Sequence, residues 1–168
     1  MYPSCGFDAS PARVFPNVTF VDAEKGNEGC VQLLQEAGLK AIKTDIREYH
    51  PAEEHDLLIL LNPAIPAEWA TCHLSTGGYI IANDYHGSAS QLAQKPDQFL
   101  LFGSIDLVNM PGQNKDGKAI ISRNIEGLFE QVSSPEEFRR LRPDAFEFKA
   151  GLINSMAERG IIDASPSD

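Results

Sequence analysis

Short apolar runs, each closed by a polar residue and a turn, alternate with helical stripes along most of the chain. VTFVD (Val18 to Asp22) is β-branched and aromatic, ends in an acid and gives way to the turn-prone AEKGN, which predicts a strand and its carboxyl end. Asn27 then reads as a helix cap. Cys30, Leu33, Leu34 and Ala37 follow at i, i+3, i+4 and i+7, which predicts one buried stripe stopped at Gly38. The cycle repeats. KAIKTD (Lys40 to Asp45) predicts a short strand, and DLLILLN (Asp56 to Asn62) is a continuous apolar run of the kind buried on both faces of a sheet. Beyond Pro63 and Pro66 the chain predicts a short helix around Trp69 and Ala70, closed by Gly77 and Gly78, and then a second buried strand, GYIIAND (Gly78 to Asp84).

Farther on the pattern changes. FLLFGSID (Phe99 to Asp106) and KAIISRN (Lys118 to Asn124) flank NMPGQNKDG, turn residues with no helical stripe, and predict a hairpin whose second strand, Lys118 to Asn124, is antiparallel. Two helices should follow, one capped by Ser134 with Pro135 at its first position and Glu137 completing a capping box, the other running from near Pro143 to Gly160, ahead of a loose DASPSD tail. Strands separated by helical segments imply right-handed crossovers and a parallel sheet. The fold expected is therefore α/β: a Rossmann-like, doubly wound, mostly parallel sheet with a C-terminal antiparallel hairpin strand and a short helical tail. One domain over 1–168 is expected, a core over 1–126 and a helical extension over 127–168.

Composition narrows the partners. With 42% hydrophobic and 23% charged residues the chain is ordinary globular material, and no apolar run approaches the roughly 20 residues that span a bilayer, so no membrane partner is expected. The opening MYPSCGFDASP lacks a basic start and an apolar stretch, which predicts no secretory leader and a cytoplasmic protein. A net charge of −10 disfavours nucleic acid, because phosphate contacts need clustered Lys and Arg, and the one local cluster, Arg139, Arg140 and Arg142, lies beside Glu136 and Glu137. Three cysteines, Cys5, Cys30 and Cys72, form no C-x-x-C pair and read as reduced thiols. The pattern leaves room for a homo-oligomer.

In an open parallel sheet ligands bind beyond the carboxyl ends of the strands, at the switch point where strand order reverses. Those ends carry the turn PSCGFDASP (Pro3 to Pro11), Asp22, Asp45, Asn62 with Pro63, and Asp84, Tyr85 and His86. From Tyr2 to Asn124 this order resembles the class I S-adenosylmethionine-dependent methyltransferases: a glycine turn after the first strand, acids ending the second and third, an N-P step after the fourth, a GG-strand and then a hairpin. The resemblance implies that Gly6 and Asp8 approach the methionine part of the cofactor, that Asp22 binds the ribose hydroxyls and that Asp45 meets the adenine amine. Asn62 is the fourth cofactor-side polar end. Its N-P step resembles the signature of amino-methylating enzymes, with Ala64 and Ile65 where a proline and a stacking aromatic would stand.

The chemistry fits residue types as well as order. A carboxylate accepts two ribose hydroxyls, and a glycine lets backbone approach a ligand closely. His86 has a side chain able to act as a general base near neutral pH and is the candidate catalytic residue, with Asp84 beside it. Asp22 is expected to be an exposed strand-end acid whose replacement costs affinity and hardly any stability, with Glu24 as the alternative. Cys72 and His73 are adjacent on a predicted helix and face different sides, which predicts neither a zinc site nor a nucleophile pair. No metal spacing, P-loop or Ser/His/Asp set is present in the sequence.

Several assignments have structural alternatives. Asp22 and Asp45 are also ordinary polar strand ends, Asp8 also serves a turn in which Ser10 caps a helix begun by Pro11, and His86 beside Gly87 also reads as a surface turn. The first turn holds one glycine, Gly6, where the family has G-x-G, and only Met1 and Tyr2 precede the turn. Two functions follow. One is methyl transfer from S-adenosylmethionine to a small-molecule or protein acceptor; the other is a methyltransferase-like module that serves as a non-catalytic binding scaffold.

Overall fold

The computed structural model describes residues 1–105, 121–123 and 140. Within them the chain is a mixed α/β structure with parallel strands in two small sheets and few helices. In the first sheet β1 (Tyr2–Pro3) pairs parallel with β2 (Thr19–Asp22), which pairs parallel with β3 (Lys40–Lys43). In the second, β4 (His55–Leu60) pairs parallel with β5 (Leu74–Ala82). Met1 lies between them. Its nitrogen donates to the Leu57 carbonyl at 2.6 Å and its carbonyl accepts from the Ile59 N–H at 3.0 Å, so the edge carrying β1 abuts β4.

Alternation along the strands divides the interior in two. Tyr2, Phe20, Ala41 and Ile59 belong to one buried cluster, which includes Cys30, Val31 and Leu34 of helix α1 (Cys30–Glu36). Met1, Val21, Leu58 and Leu60 belong to another, with Ala67 and Ala70 of helix α2 (Ala67–Thr71) and Ile46 of a 3₁₀ turn (Ile46–Glu48). Successive residues of one strand point to opposite faces, so α1 covers one face and α2 the other. The pairing register agrees, since Tyr2 is level with Phe20 and Phe20 with Ala41. The continuous apolar run of β4 is thus buried from both sides at Leu58, Ile59 and Leu60.

Several expectations need correction. Asn27 does not cap α1; the N-cap is Gly29 in the left-handed region with no side-chain bond, and Leu33 and Ala37 are exposed while Cys30, Val31 and Leu34 are buried. Gly77 and Gly78 do not close a helix. The helix ends at Thr71, and both glycines lie inside β5 where its register against β4 shifts between His55 and Leu57. There Gly77 has φ of 82°, and a Cβ on Gly78 would stand 2.7 Å from Leu74 Cδ1. Nor is β5 buried on both faces: Tyr79 and Ile81 are exposed, because among the described residues only the face carrying Ile80 and Ala82 meets the core. Ser10 is the first residue of a 3₁₀ helix (Ser10–Arg13) and not its cap.

A third helix, α3 (Ser88–Ala93), follows β5. Of the predicted hairpin, β6 (Ser104–Ile105) pairs antiparallel with β7 (Ile121–Ser122), the orientation expected for the second strand, but as a separate two-stranded sheet, and Phe99 to Gly103 belong to no strand. The helices predicted from Ser134 and Pro143, and all but one residue of the extension 127–168, lie outside the described residues. Among the described residues no helix is long and apolar enough to cross a membrane.

Candidate functional site

Parallel strands deliver their carboxyl ends to one side of the sheet, and there the predicted polar ends collect. β1 ends in a turn whose Ser4 and Gly6 both have left-handed backbones, φ of 51° and 53°. Glycine suits position 6: a Cβ would be strained by that φ and would stand 3.3 Å from the Asn27 side-chain amide nitrogen, which would have to give way. Its N–H donates to Asp22 Oδ2 at 2.9 Å, and the other oxygen, Oδ1, accepts the Glu24 N–H at 2.6 Å. Asp22 is only 5% exposed, which corrects the expectation of an exposed strand-end acid.

One consequence runs through Glu24. Its backbone is left-handed at φ of 56°, a conformation that costs a non-glycine residue about 1 kcal/mol or more, and the Asp22 bond holds it there. So placed, the buried Glu24 carboxylate accepts the Val31 N–H in the first turn of α1 at 3.0 Å and forms an ion pair with Lys43 of β3. Glu24 therefore does what Asn27 was expected to do.

The other predicted acids also have internal partners. Asp8 accepts the Tyr2 hydroxyl at 2.9 Å and the Ser10 N–H at 2.8 Å; burial raises its carboxyl, but these bonds outweigh it and leave the group below its ordinary value. Asp45 caps the 3₁₀ turn through the Arg47 N–H at 3.0 Å and takes the Arg47 guanidinium on both oxygens, at 2.9 and 2.7 Å. That guanidinium holds its carboxyl down at about 2.

Beyond β4 and β5 a second set assembles. Asn62, left-handed at φ of 56°, exchanges amide bonds with Asn83: its N–H donates to Asn83 Oδ1 at 3.1 Å, and Asn83 Nδ2 donates to Asn62 Oδ1 at 2.6 Å. Asp84 receives the Ser90 N–H and hydroxyl, both at 2.8 Å, and so secures α3. His86 Nδ1 lies 2.9 Å from the Pro63 carbonyl. A carbonyl only accepts, so Nδ1 carries a proton, and the tautomer this contact selects has its lone pair on Nε2, the form a general base needs.

Of the predicted residues, the fold brings Asp22 and Asp45 to one cleft, which Ser4, Ile46, Ile65 and Trp69 also line. Gly6, Asp8, Asn62, Asp84 and His86 do not line it. The cleft holds about 50 Å³, room for one or two waters, so a nucleoside enters only if rim side chains such as the exposed Lys25 and half-buried Trp69 swing outward. A larger hollow of about 290 Å³ lies between α2 and α3, bordered by Glu68, Gln91, Lys95 and Phe99, and contains none of the predicted residues. One contributor to the cleft, and a neighbour that bonds to its lining, were missed in the sequence. Trp69 was expected only to pack on a sheet face, and Arg47, whose guanidinium stacks 4.2 Å from the Trp69 ring centroid, carries no local signal. Ser4 Oγ accepts the Ala64 N–H at 3.1 Å and ties the first turn to the fourth. Cys72 and His73 lie in the turn after α2 and not, as expected, on a helix; the thiol is exposed and the imidazole packs edge-on to Tyr49.

The chain matches no protein-family model, no curated protein and no solved structure.

Proposed function

We propose that the cleft at the carboxyl ends of β1 to β4 binds an adenosyl compound, and that the protein is a cytoplasmic, Rossmann-like methyltransferase using S-adenosylmethionine on a small-molecule or protein acceptor. The observation that carries this reading is the meeting of Asp22 and Asp45 in one cleft with the apolar side chains of Ile46 and Ile65 and the planar ring of Trp69. Carboxylates for hydroxyl and amine, with apolar walls for a planar ring, are the recognition chemistry of a nucleoside. Strand adjacency adds support: with Met1 bonded to β4 the order is β3–β2–β1–β4–β5, α1 and α2 cover opposite faces, and the order reverses between β1 and β4, beside the cleft.

In the proposed reaction the acceptor's nucleophile attacks the methyl carbon in line, the carbon–sulfur bond breaks, and S-adenosylhomocysteine leaves. The acceptor's proton goes to solvent or to His86 Nε2. Gly6, Asp8 and Asn62 shape the turns that border the cofactor, and Asp84 positions α3 next to His86. Holding two reactants in line supplies most of the rate such a transfer needs.

A second reading, a non-catalytic scaffold, is favoured by one observation: the carboxylates of Asp8, Asp22 and Asp45 all accept bonds from the chain itself. Titration with S-adenosylhomocysteine decides between them. Ligand at 100 times its Kd adds about 2.7 kcal/mol. For a chain of this size that raises the melting temperature by roughly 5–10 °C. An unchanged melting curve at millimolar ligand assigns the chain to the scaffold reading.

A further inference from the structure

The 3₁₀ turn after β3 and helix α2 after β4 each contribute to the cleft lining, and Arg47, which does not itself line the cleft, joins two lining residues, Asp45 and Trp69. Its planar guanidinium stacks on the Trp69 indole at 4.2 Å and offers two in-plane N–H groups to the two oxygens of Asp45. We propose that Arg47 is an internal competitor for the Asp45 and Trp69 side chains of the cleft, a planar cation that holds both until a nucleobase displaces it. The inference rests on the adenosyl reading of the cleft.

A purine offers the same two features, a π face for the indole and an amino N–H for the carboxylate, so base and guanidinium exclude each other from this pair. The competitor is weakly held. The Arg47 side chain is 53% exposed, and an exposed ion pair is screened by solvent. The turn does not depend on it either, because Asp45 caps the turn by accepting the Arg47 backbone N–H whatever the side chain. In the closed state Asp45 is kept ionised by Arg47, ready to accept a donor when the guanidinium leaves.

The test compares wild type, Arg47→Ala and Arg47→Lys by calorimetric titration with S-adenosylhomocysteine. Acrylamide quenching of Trp69, the single tryptophan of the chain, gives a readout that needs no ligand. Arg47→Ala should bind three- to tenfold more tightly than wild type and expose Trp69 to the quencher; Arg47→Lys, which keeps charge but neither the fork nor the planar face, should fall between and also covers the case of an alanine variant that does not fold. Binding by Arg47→Ala alone supports the proposal most strongly. Equal or weaker binding than a wild type that does bind, or unchanged quenching, overturns it and leaves the adenosyl reading standing. No binding by any of the three overturns both.

Discussion

Replacing Asp22 by Asn tests the turn architecture on which the cleft is built. The carboxylate is buried and accepts two backbone N–H groups, from Gly6 and Glu24, one on each oxygen. Asparagine has one acceptor oxygen and an NH₂ group, so one of the two N–H groups then faces a donor and loses its partner. A hydrogen bond to a charged acceptor contributes roughly 1.5–3 kcal/mol, and an unsatisfied buried donor costs about 1–3 kcal/mol. Allowing for relaxation, the variant should lose about 2–4 kcal/mol. At roughly 2–4 °C per kcal/mol for a chain of this size the melting temperature falls by about 5–15 °C. Thermal and urea melts measure the loss, and hydrogen exchange at the Gly6 and Glu24 amides shows which bond is gone. Glu36→Gln, at an exposed position of α1, is the control and should stay within about 0.5 kcal/mol of wild type. An Asp22→Asn protein that melts with the wild type and keeps both amides protected would refute the clamp and restore the expectation of an acid that matters for affinity alone.

Two further predictions concern titration and reactivity. His55, stacked on Tyr49 and hydrogen-bonded to its hydroxyl at 3.0 Å, is lowered from 6.5 to about 4, chiefly by burial. The unfolded chain takes up this proton first, so stability is full above pH 6.5 and declines as pH falls towards 4. After solvent screening the loss is about 1–2 kcal/mol, and a His55→Gln variant should show a shallower decline in urea melts at pH 4.5 and 7; identical slopes would contradict the assignment. Burial pushes the Cys5 thiol up to about 12 and the Cys30 thiol to about 11, while Cys72 is exposed. A thiol reagent at pH 8 should therefore label one cysteine per chain rapidly and the other two only in denaturant, and rapid labelling of all three would show that the cluster around Cys30 opens readily.

What could be read in the sequence was what local pattern controls. β2, β3 and β4 announce themselves by apolar runs ending in polar residues, and Gly38, in the left-handed region, stops α1 as expected. The misreadings are long-range effects. Asn27 has the chemistry of a cap, but Glu24 reaches α1 from a left-handed turn that only the bond to Asp22 sustains. Leu33 fits the helical stripe, yet the packed face is set by the neighbouring strands and selects Val31 instead. Gly77 and Gly78 are turn formers by composition; inside β5 they serve a register shift that depends on the pairing with β4. In the site, Asp22 and Asp45 were identifiable because strand ends are local features. Arg47 was not, because its role comes from Trp69 on the next crossover unit.

The central claim is that the Asp22–Asp45 cleft receives a nucleoside, and its most direct test is the titration of ¹⁵N-labelled protein with S-adenosylhomocysteine followed residue by residue. Saturable shifts of the Gly6, Ala23 and Ile46 amides and of the Trp69 indole N–H, with His86 and the α2–α3 hollow little affected by this ligand, are the predicted result. Shifts centred on Gln91, Lys95 and Phe99, or none at millimolar ligand, would contradict it.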